Sequence, residues 1–186
     1  MTDLATEELA NFLDYVWGKE APLPGVPTFV YVPFEKDGEW KKVSFEWPRQ
    51  KTAVVRHLLK WSALGANAFY SPALYRAARP VKENVMGSWF FWVDFDGNAP
   101  RWEDLDTALS IPRPSFIIQS SLPQHEHWYW KLDEFLTDID VLEDRNRSLA
   151  YVLNADTSGW DADQVLRPLH TTNHKRGKPV VLKEFN

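Results

Sequence analysis

The chain has 186 residues, 44% of them hydrophobic and 25% charged, which suits one domain, or one domain with two lobes, around a sizeable core and excludes disorder of the whole. Cysteine is absent, so disulfides, thiolate zinc sites, iron–sulfur clusters and cysteine nucleophiles are excluded, while a His/Asp/Glu metal site stays open. A net charge of −5 argues against a protein that simply coats duplex DNA but leaves room for an enzyme with metal ions and a local basic patch.

In chain order, the acidic start Met1-Thr2-Asp3 is unlike a signal peptide, and no apolar run approaches the roughly 18 residues of a membrane span. A cytoplasmic protein with no membrane role is expected. Thr6 to Trp17 carries Leu9, Phe12, Leu13 and Val16 at one-face helical spacing. After the Pro-rich stretch 21–27, Thr28 to Pro33 reads as a strand, and Trp40 to Trp47 as a second one paired with it through a turn at Asp37-Gly38. Thr52 to Leu64 reads as a helix closed by Gly65, and Ala68 to Ser71 as a strand. Trp89 to Phe95 is almost continuously apolar and predicts a central buried strand. A short helix around Trp102 to Leu109 follows, then strands at Ser115 to Ser121 and Glu126 to Leu132, which a connection of a few residues can join only as an antiparallel pair. Asp138 to Leu153 has helical spacing, and the tail ends in a basic loop, His170 to Lys178, and a strand at Pro179 to Leu182. The expected fold is α+β: a mixed, largely antiparallel RRM-like sheet with an N-terminal α/β lobe, residues 1–85 forming that lobe and 86–186 the part that carries the chemistry.

Asp94 and Asp96 stand two apart at the end of an apolar strand, where a period of two places both carboxylates on one face. Carboxylates beside a core strand are costly unless paired or metal-bound, so the pair reads as a divalent-metal site; the bland alternative is an Asp-Gly-Asn turn capped by Asp96. His127 shares a strand face with Tyr129 and lies just beyond Ser120 and Ser121, and imidazole beside hydroxyls suits a phosphate. From Asn154 to Lys178 the chain offers Asp156, Asp161 and Asp163, then Arg167, His170, Asn173, His174, Lys175, Arg176 and Lys178. The second half is a cationic loop in an acidic protein, able to attract a triphosphate or a nucleic-acid backbone, or else a solvated basic turn.

Together these segments resemble the catalytic core of the archaeo-eukaryotic primase superfamily, in particular the primase-polymerase and RepB-like primase modules of plasmids, phages and mobile elements. Val93-Asp94-Phe95-Asp96-Gly97 is similar to the family's apolar strand ending in Asp-x-Asp. Gln119-Ser120-Ser121 with His127-Trp128-Tyr129-Trp130 resembles its Ser-rich segment followed by a His and an aromatic strand, although the turn before His127 lacks the family's Gly. Arg167, Thr171, Asn173 and Lys175 fall on the spacing of its Arg-x-Pro-Gly-Thr-x-Asn-x-Lys segment, with Pro168 one place early and His170 in the place of Gly. The resemblance covers about Trp89 to Leu182.

It implies a DNA-dependent nucleotidyltransferase, a primase or DNA polymerase or both, using two Mg²⁺ or Mn²⁺ ions on a single-stranded DNA template. Asp94, Asp96 and Asp156 would hold the metals, with Asp161 competing as third acid. His127, Ser120, Ser121, Arg167 and Lys175 would bind the incoming nucleoside triphosphate, with Asn173 orienting the loop and exposed aromatics such as Tyr129 stacking on base or sugar. A helicase or an accessory helical domain is the further partner implied. Two other readings stay open: an Asp-x-Asp phosphohydrolase of the haloacid-dehalogenase type, which needs a doubly wound parallel sheet, and a non-catalytic single-stranded nucleic-acid-binding module on an aromatic sheet.

Overall fold

The structure, a computed structural model, describes residues 3–105 and 110–186. Its organising element is the strand β7 (Val85–Asp96), twelve residues long because Trp89 to Phe95 is bulky, apolar and able to be buried on both faces. Before it come α1 (Asp3–Trp17), β1 (Phe29–Tyr31), β2 (Phe34–Lys36), β3 (Glu39–Lys41), β4 (Ser44–Glu46), α2 (Lys51–Ala63), β5 (Asn67–Ala68) and β6 (Leu74–Tyr75). After it come β8 (Phe116–Gln119), β9 (His125–Leu136), α3 (Ile139–Val152), β10 (Thr172–Asn173), β11 (Lys178–Pro179) and β12 (Val181–Phe185). Seven strands form the main sheet in the order β12-β8-β9-β7-β6-β1-β4, and each of its pairings is antiparallel. The doubly wound parallel sheet that a haloacid-dehalogenase-type phosphohydrolase requires is therefore not the fold of this chain. No helix among the described residues is long and apolar enough to cross a membrane.

Alternation along β7 sorts its side chains. Phe90 and Trp92 join a large core with Leu9, Phe12 and Leu13 of α1 and with Val54, Val55 and Leu58 of α2, to which β8 and β9 add Phe116, Ile118 and Tyr129. Val93 and Phe95 point the other way, into a second core with Ile117, Trp128, Trp130 and the Ala150 and Leu153 side chains at the end of α3. Removing a Phe-sized side chain from water contributes about 1.5–3 kcal/mol, so the two faces of β7 anchor most of the molecule. Strands from residues 29–75 extend the same sheet, and the large core runs unbroken from α1 to β9.

Several elements differ from the sequence expectation for identifiable reasons. The expected strand Thr28 to Pro33 stops at Tyr31 and resumes as β2, because Pro33 has no N–H to donate to a ladder. The turn at Asp37-Gly38, with φ of +53° and +82°, therefore joins β2 to β3 in a small three-stranded sheet with β5, while β1 pairs with β4 in the main one. The strand expected at Ala68 to Ser71 shrinks to Asn67–Ala68, followed by a lone bridge from Tyr70 to Leu166. The helix expected around Trp102 to Leu109 is a single 3₁₀ turn over Trp102–Asp104, and its positions 106–109 lie outside the described residues. Helix α3 begins as expected, with the Asp138 carboxylate accepting the Val141 N–H at 3.1 Å.

At Gly87 the backbone of β7 passes so close to β9 that an added Cβ would lie 2.1 Å from the Leu136 carbonyl oxygen, at a φ of +147°. Neither the carbonyl nor the register, which is bulged between Ser88 and Phe90, can give way cheaply. Gly87→Ala is expected to lower stability by about 2–4 kcal/mol, read as a drop in the denaturant midpoint at unchanged slope.

Candidate active site

Beyond the short β6, strand β7 has no strand neighbour among the described residues on the side away from β9, so its outward backbone groups need other partners. The Asn146 side-chain carbonyl on α3 accepts the Trp92 N–H at 3.0 Å, and two residues further the Asp94 carbonyl accepts the Asp156 N–H at 2.8 Å. The same strand edge therefore brings Asp156, from the loop after α3, to Asp94. Asp156 is further shaped by its own turn, its Oδ1 accepting from the Ser158 N–H and hydroxyl, both at 2.8 Å. Asp161 goes elsewhere: it interacts with Glu143, Asp163 and Lys82, so of the two candidate third acids only Asp156 neighbours Asp94.

Across β7 and β9, Asp94 lies opposite His127 and Asp96 opposite His125, so the two carboxylates and two imidazoles occupy one face. His127 Nε2 is 3.5 Å from Asp94 Oδ1, and His125 Nδ1 is 2.9 Å from Asp96 Oδ1. Gly97, at φ +92°, turns the chain immediately after Asp96, and its Cα lies where an added Cβ would meet the His125 ring at 3.0 Å. Arg167 reaches this face because the Tyr70–Leu166 bridge delivers its backbone there, and its guanidinium carbon sits 5.0 Å over the Phe69 ring.

Burial sets the electrostatics. The Asp94 carboxyl is pushed up to about 7, first by loss of water and then by Asp156 and Asp96, with Arg167 pulling the other way. His127 is pushed down to about 3 by burial and by Arg167, so its imidazole is neutral. Arg167 itself is lowered by burial, opposed by Asp94 and Asp96. Three buried polar atoms among the described residues have no hydrogen-bond partner in this neighbourhood: His127 Nδ1, Arg167 Nε and Asn173 Oδ1.

The remaining predicted residues divide. Ser120 is buried with its hydroxyl donating to the His125 carbonyl at 3.2 Å, Ser121 is buried beside it, and the Asn173 amide donates to the Ser120 carbonyl at 3.4 Å, tying the basic loop to the turn before β9. Lys175 is exposed, and Glu35 feels its charge. Tyr129, expected to be exposed for stacking on a base, is instead fully buried, stacked on Phe116 at 4.3 Å and hydrogen-bonded to the Tyr70 hydroxyl at 2.7 Å. It lies deeper along the same face, inside the large core. His125 was not singled out from sequence; the signal available was that it shares strand parity with His127 and ends the segment facing Asp96.

The chain that carries this face, a largely buried β7 within an antiparallel sheet, has an archaeo-eukaryotic primase-like fold. Solved structures of similar fold include a primase-polymerase domain and a primase. The AEP domain of the cyanophage S-2L primase-polymerase matches with a TM-score of 0.69 at 12% identity, over 97% of this chain and 90% of that one. Primase RepB′ matches with a TM-score of 0.67 at 18% identity over 97% of this chain and 56% of that one, and its catalytic domain in complex with initiator DNA with 0.65 at 19% over 97% and 85%. No protein-family model and no curated protein matches the sequence.

Because burial and neighbouring acids both oppose the charged form of Asp94, the uncharged isostere should be tolerated. In chelator near neutral pH, Asp94→Asn is expected to melt at or above the parent, by up to about 1 kcal/mol or 2–4 °C. A fall of several degrees in that scan would show that the carboxylate is a structural partner instead.

Proposed function

We propose that the chain is a template-dependent nucleotidyltransferase, a primase or primase-polymerase that adds nucleotides on single-stranded DNA in the replication of a phage, plasmid or other mobile element. The observation that carries this reading is Asp94 and Asp96 on one sheet face opposite His127 and His125, with Asp156 and Arg167 close enough to act on Asp94 and with buried polar atoms left unpartnered at His127 Nδ1 and Arg167 Nε. Buried polar groups are normally satisfied, and a triphosphate, rich in acceptor oxygens, would satisfy the donors among them.

The donor set suits Mg²⁺ or Mn²⁺, since carboxylate oxygens are hard ligands. Among the described residues no three His, Asp or Glu side chains are gathered tightly enough to hold an ion alone. That is compatible with Mg²⁺, which is usually held by one or two carboxylates together with substrate phosphates. Asp94, Asp96 and Asp156 would hold the ions, which when bound lower the pKa of an attacking 3′-hydroxyl and neutralise a leaving pyrophosphate.

The chain's own groups do the rest. Arg167, braced on Phe69, supplies a charge in a partly dehydrated setting where a phosphate oxygen gains most from it. His127, neutral and fully buried, offers a ring nitrogen without adding charge next to Asp94. His125 holds Asp96, and Asn173 with Ser120 fixes the basic loop against the turn before β9; Lys175 of that loop, exposed and near Glu35, would reach a triphosphate from the small-sheet side. A helicase or accessory helical domain belongs to the proposal as a partner.

The decisive assay is incorporation of labelled nucleotides on a single-stranded template, with and without primer, in Mg²⁺ and Mn²⁺. Incorporation is expected for the parent and its loss for Asp94→Ala and Asp96→Ala at unchanged melting temperature; no incorporation by the parent in either metal overturns the reading. In binding titrations His127→Ala and Arg167→Ala should each weaken nucleoside triphosphate affinity by about 1.5–3 kcal/mol and leave template affinity nearly unchanged.

A further inference from the structure

Of the ten tryptophans only Trp40 is exposed, at 52%. It stands in the middle of β3, on the face of the small sheet where its cross-strand neighbours are Glu35 on β2 and then Asn67 on β5. One indole face is fixed: Trp40 stacks on Phe69 with ring centroids 4.9 Å apart and planes at 26°. Phe69 is also the ring over which Arg167 sits at 5.0 Å, so the indole is separated from the guanidinium of the candidate site by a single phenyl ring.

Charge follows the same route. Glu35 is held down by hydrogen bonds from the Asn67 amide and the Gly38 N–H, and further by Lys175 and Arg167, which places both cations near this face. The His174 N–H donates to Asn67 Oδ1 at 2.9 Å, docking the basic loop against the small sheet. Beyond Trp40 the chain exposes Lys41 and Lys42 in succession, Lys41 paired with Glu39. Acids share this hairpin, Glu35, Asp37 and Glu39, but Lys42 and the basic loop supply cations near a pre-oriented aromatic plane, a combination that binds single strands without reading their sequence.

We infer that Trp40 is a stacking platform for a base of the single-stranded template, with Lys42 and the loop cations along its backbone path. A strand is favoured over the incoming nucleotide because, besides Arg167, this side of the molecule carries Lys42 next to β3 and Lys175 of the basic loop, whereas a nucleotide carries one triphosphate, already assigned to Arg167. The inference deepens the proposed function and rests on it for the identity of the strand as template.

The test is equilibrium binding of a short oligothymidylate and, separately, of a nucleoside triphosphate to the full chain and to Trp40→Ala, Trp40→Phe and Lys42→Ala. Trp40→Ala is expected to weaken oligonucleotide binding about 5- to 150-fold with the salt dependence unchanged, because stacking releases no counterions. Trp40→Phe should recover most of the affinity, and Lys42→Ala should flatten the salt slope by about 0.7. Nucleotide affinity and melting temperature should stay at the parent's values in both Trp40 variants. Unaltered oligonucleotide binding in Trp40→Ala overturns the inference, and so does a loss that appears in nucleotide binding instead. A Trp40-dependent strand binder that incorporates no nucleotide would overturn the proposed function while leaving the platform standing.

Discussion

Everything in the site depends on how one strand edge is satisfied. Strand β7 is paired along one side by β9, but past β6 its other side meets no strand among the described residues, and buried N–H and C=O groups cannot be left without partners. The solution uses Asn146 of α3 for the Trp92 N–H and Asp156 for the Asp94 carbonyl. The first contact docks α3 along the strand; the second places the third acid beside the first two. A backbone requirement of the fold and an arrangement of chemical groups are thus met by the same hydrogen bonds.

The consequence is a site in which burial presses charged groups toward neutrality from both signs. Asp94 is raised, His127 and Arg167 are lowered, and in each case desolvation is the leading cause. Under the proposed function a cation among the acids and an anion at the guanidinium would each offset the solvation that burial removed. The aromatic sheet behind it, with Phe90, Trp92, Phe116 and Tyr129 fully buried, supplies the low-dielectric wall and a rigid floor.

The loops around the site reach the required shapes with unexpected residues. His170, in the place of a glycine in the resembled motif, has φ +61°, and Gln124, in the turn before β9 that lacks the usual glycine, has φ +66°. Both occupy the left-handed region that glycine enters freely and other residues enter at a cost. Local contacts hold them: the Gln124 carbonyl accepts the N–H groups of Gly97 and Ala99 at 3.1 Å, and His170 Nε2 lies 2.8 Å from Glu8 on α1. At both places a residue other than glycine holds a left-handed backbone conformation, with tertiary contacts around it to offset the cost.

What the sequence determined by itself was what depends on periodicity and local chemistry. A nearly continuous apolar run identified β7, and period-two parity put Asp94 with Asp96, and His127 with Tyr129, on shared faces; helical spacing located α1, α2 and α3; a connection of a few residues made β8 and β9 antiparallel. Only the tertiary structure decided what depends on contacts between distant segments. Asp156 rather than Asp161 joins the acids because of a hydrogen bond to a residue 62 positions earlier, and Tyr129 is core because Phe116 and Tyr70 cover it. Trp40 stands beside Arg167 because Phe69 lies between them, and the β1–β4 segment divides between two sheets because Pro33 interrupts the ladder. Side-chain parity is a property of the chain alone, whereas which segment satisfies an open strand edge is settled only when the whole molecule competes for it.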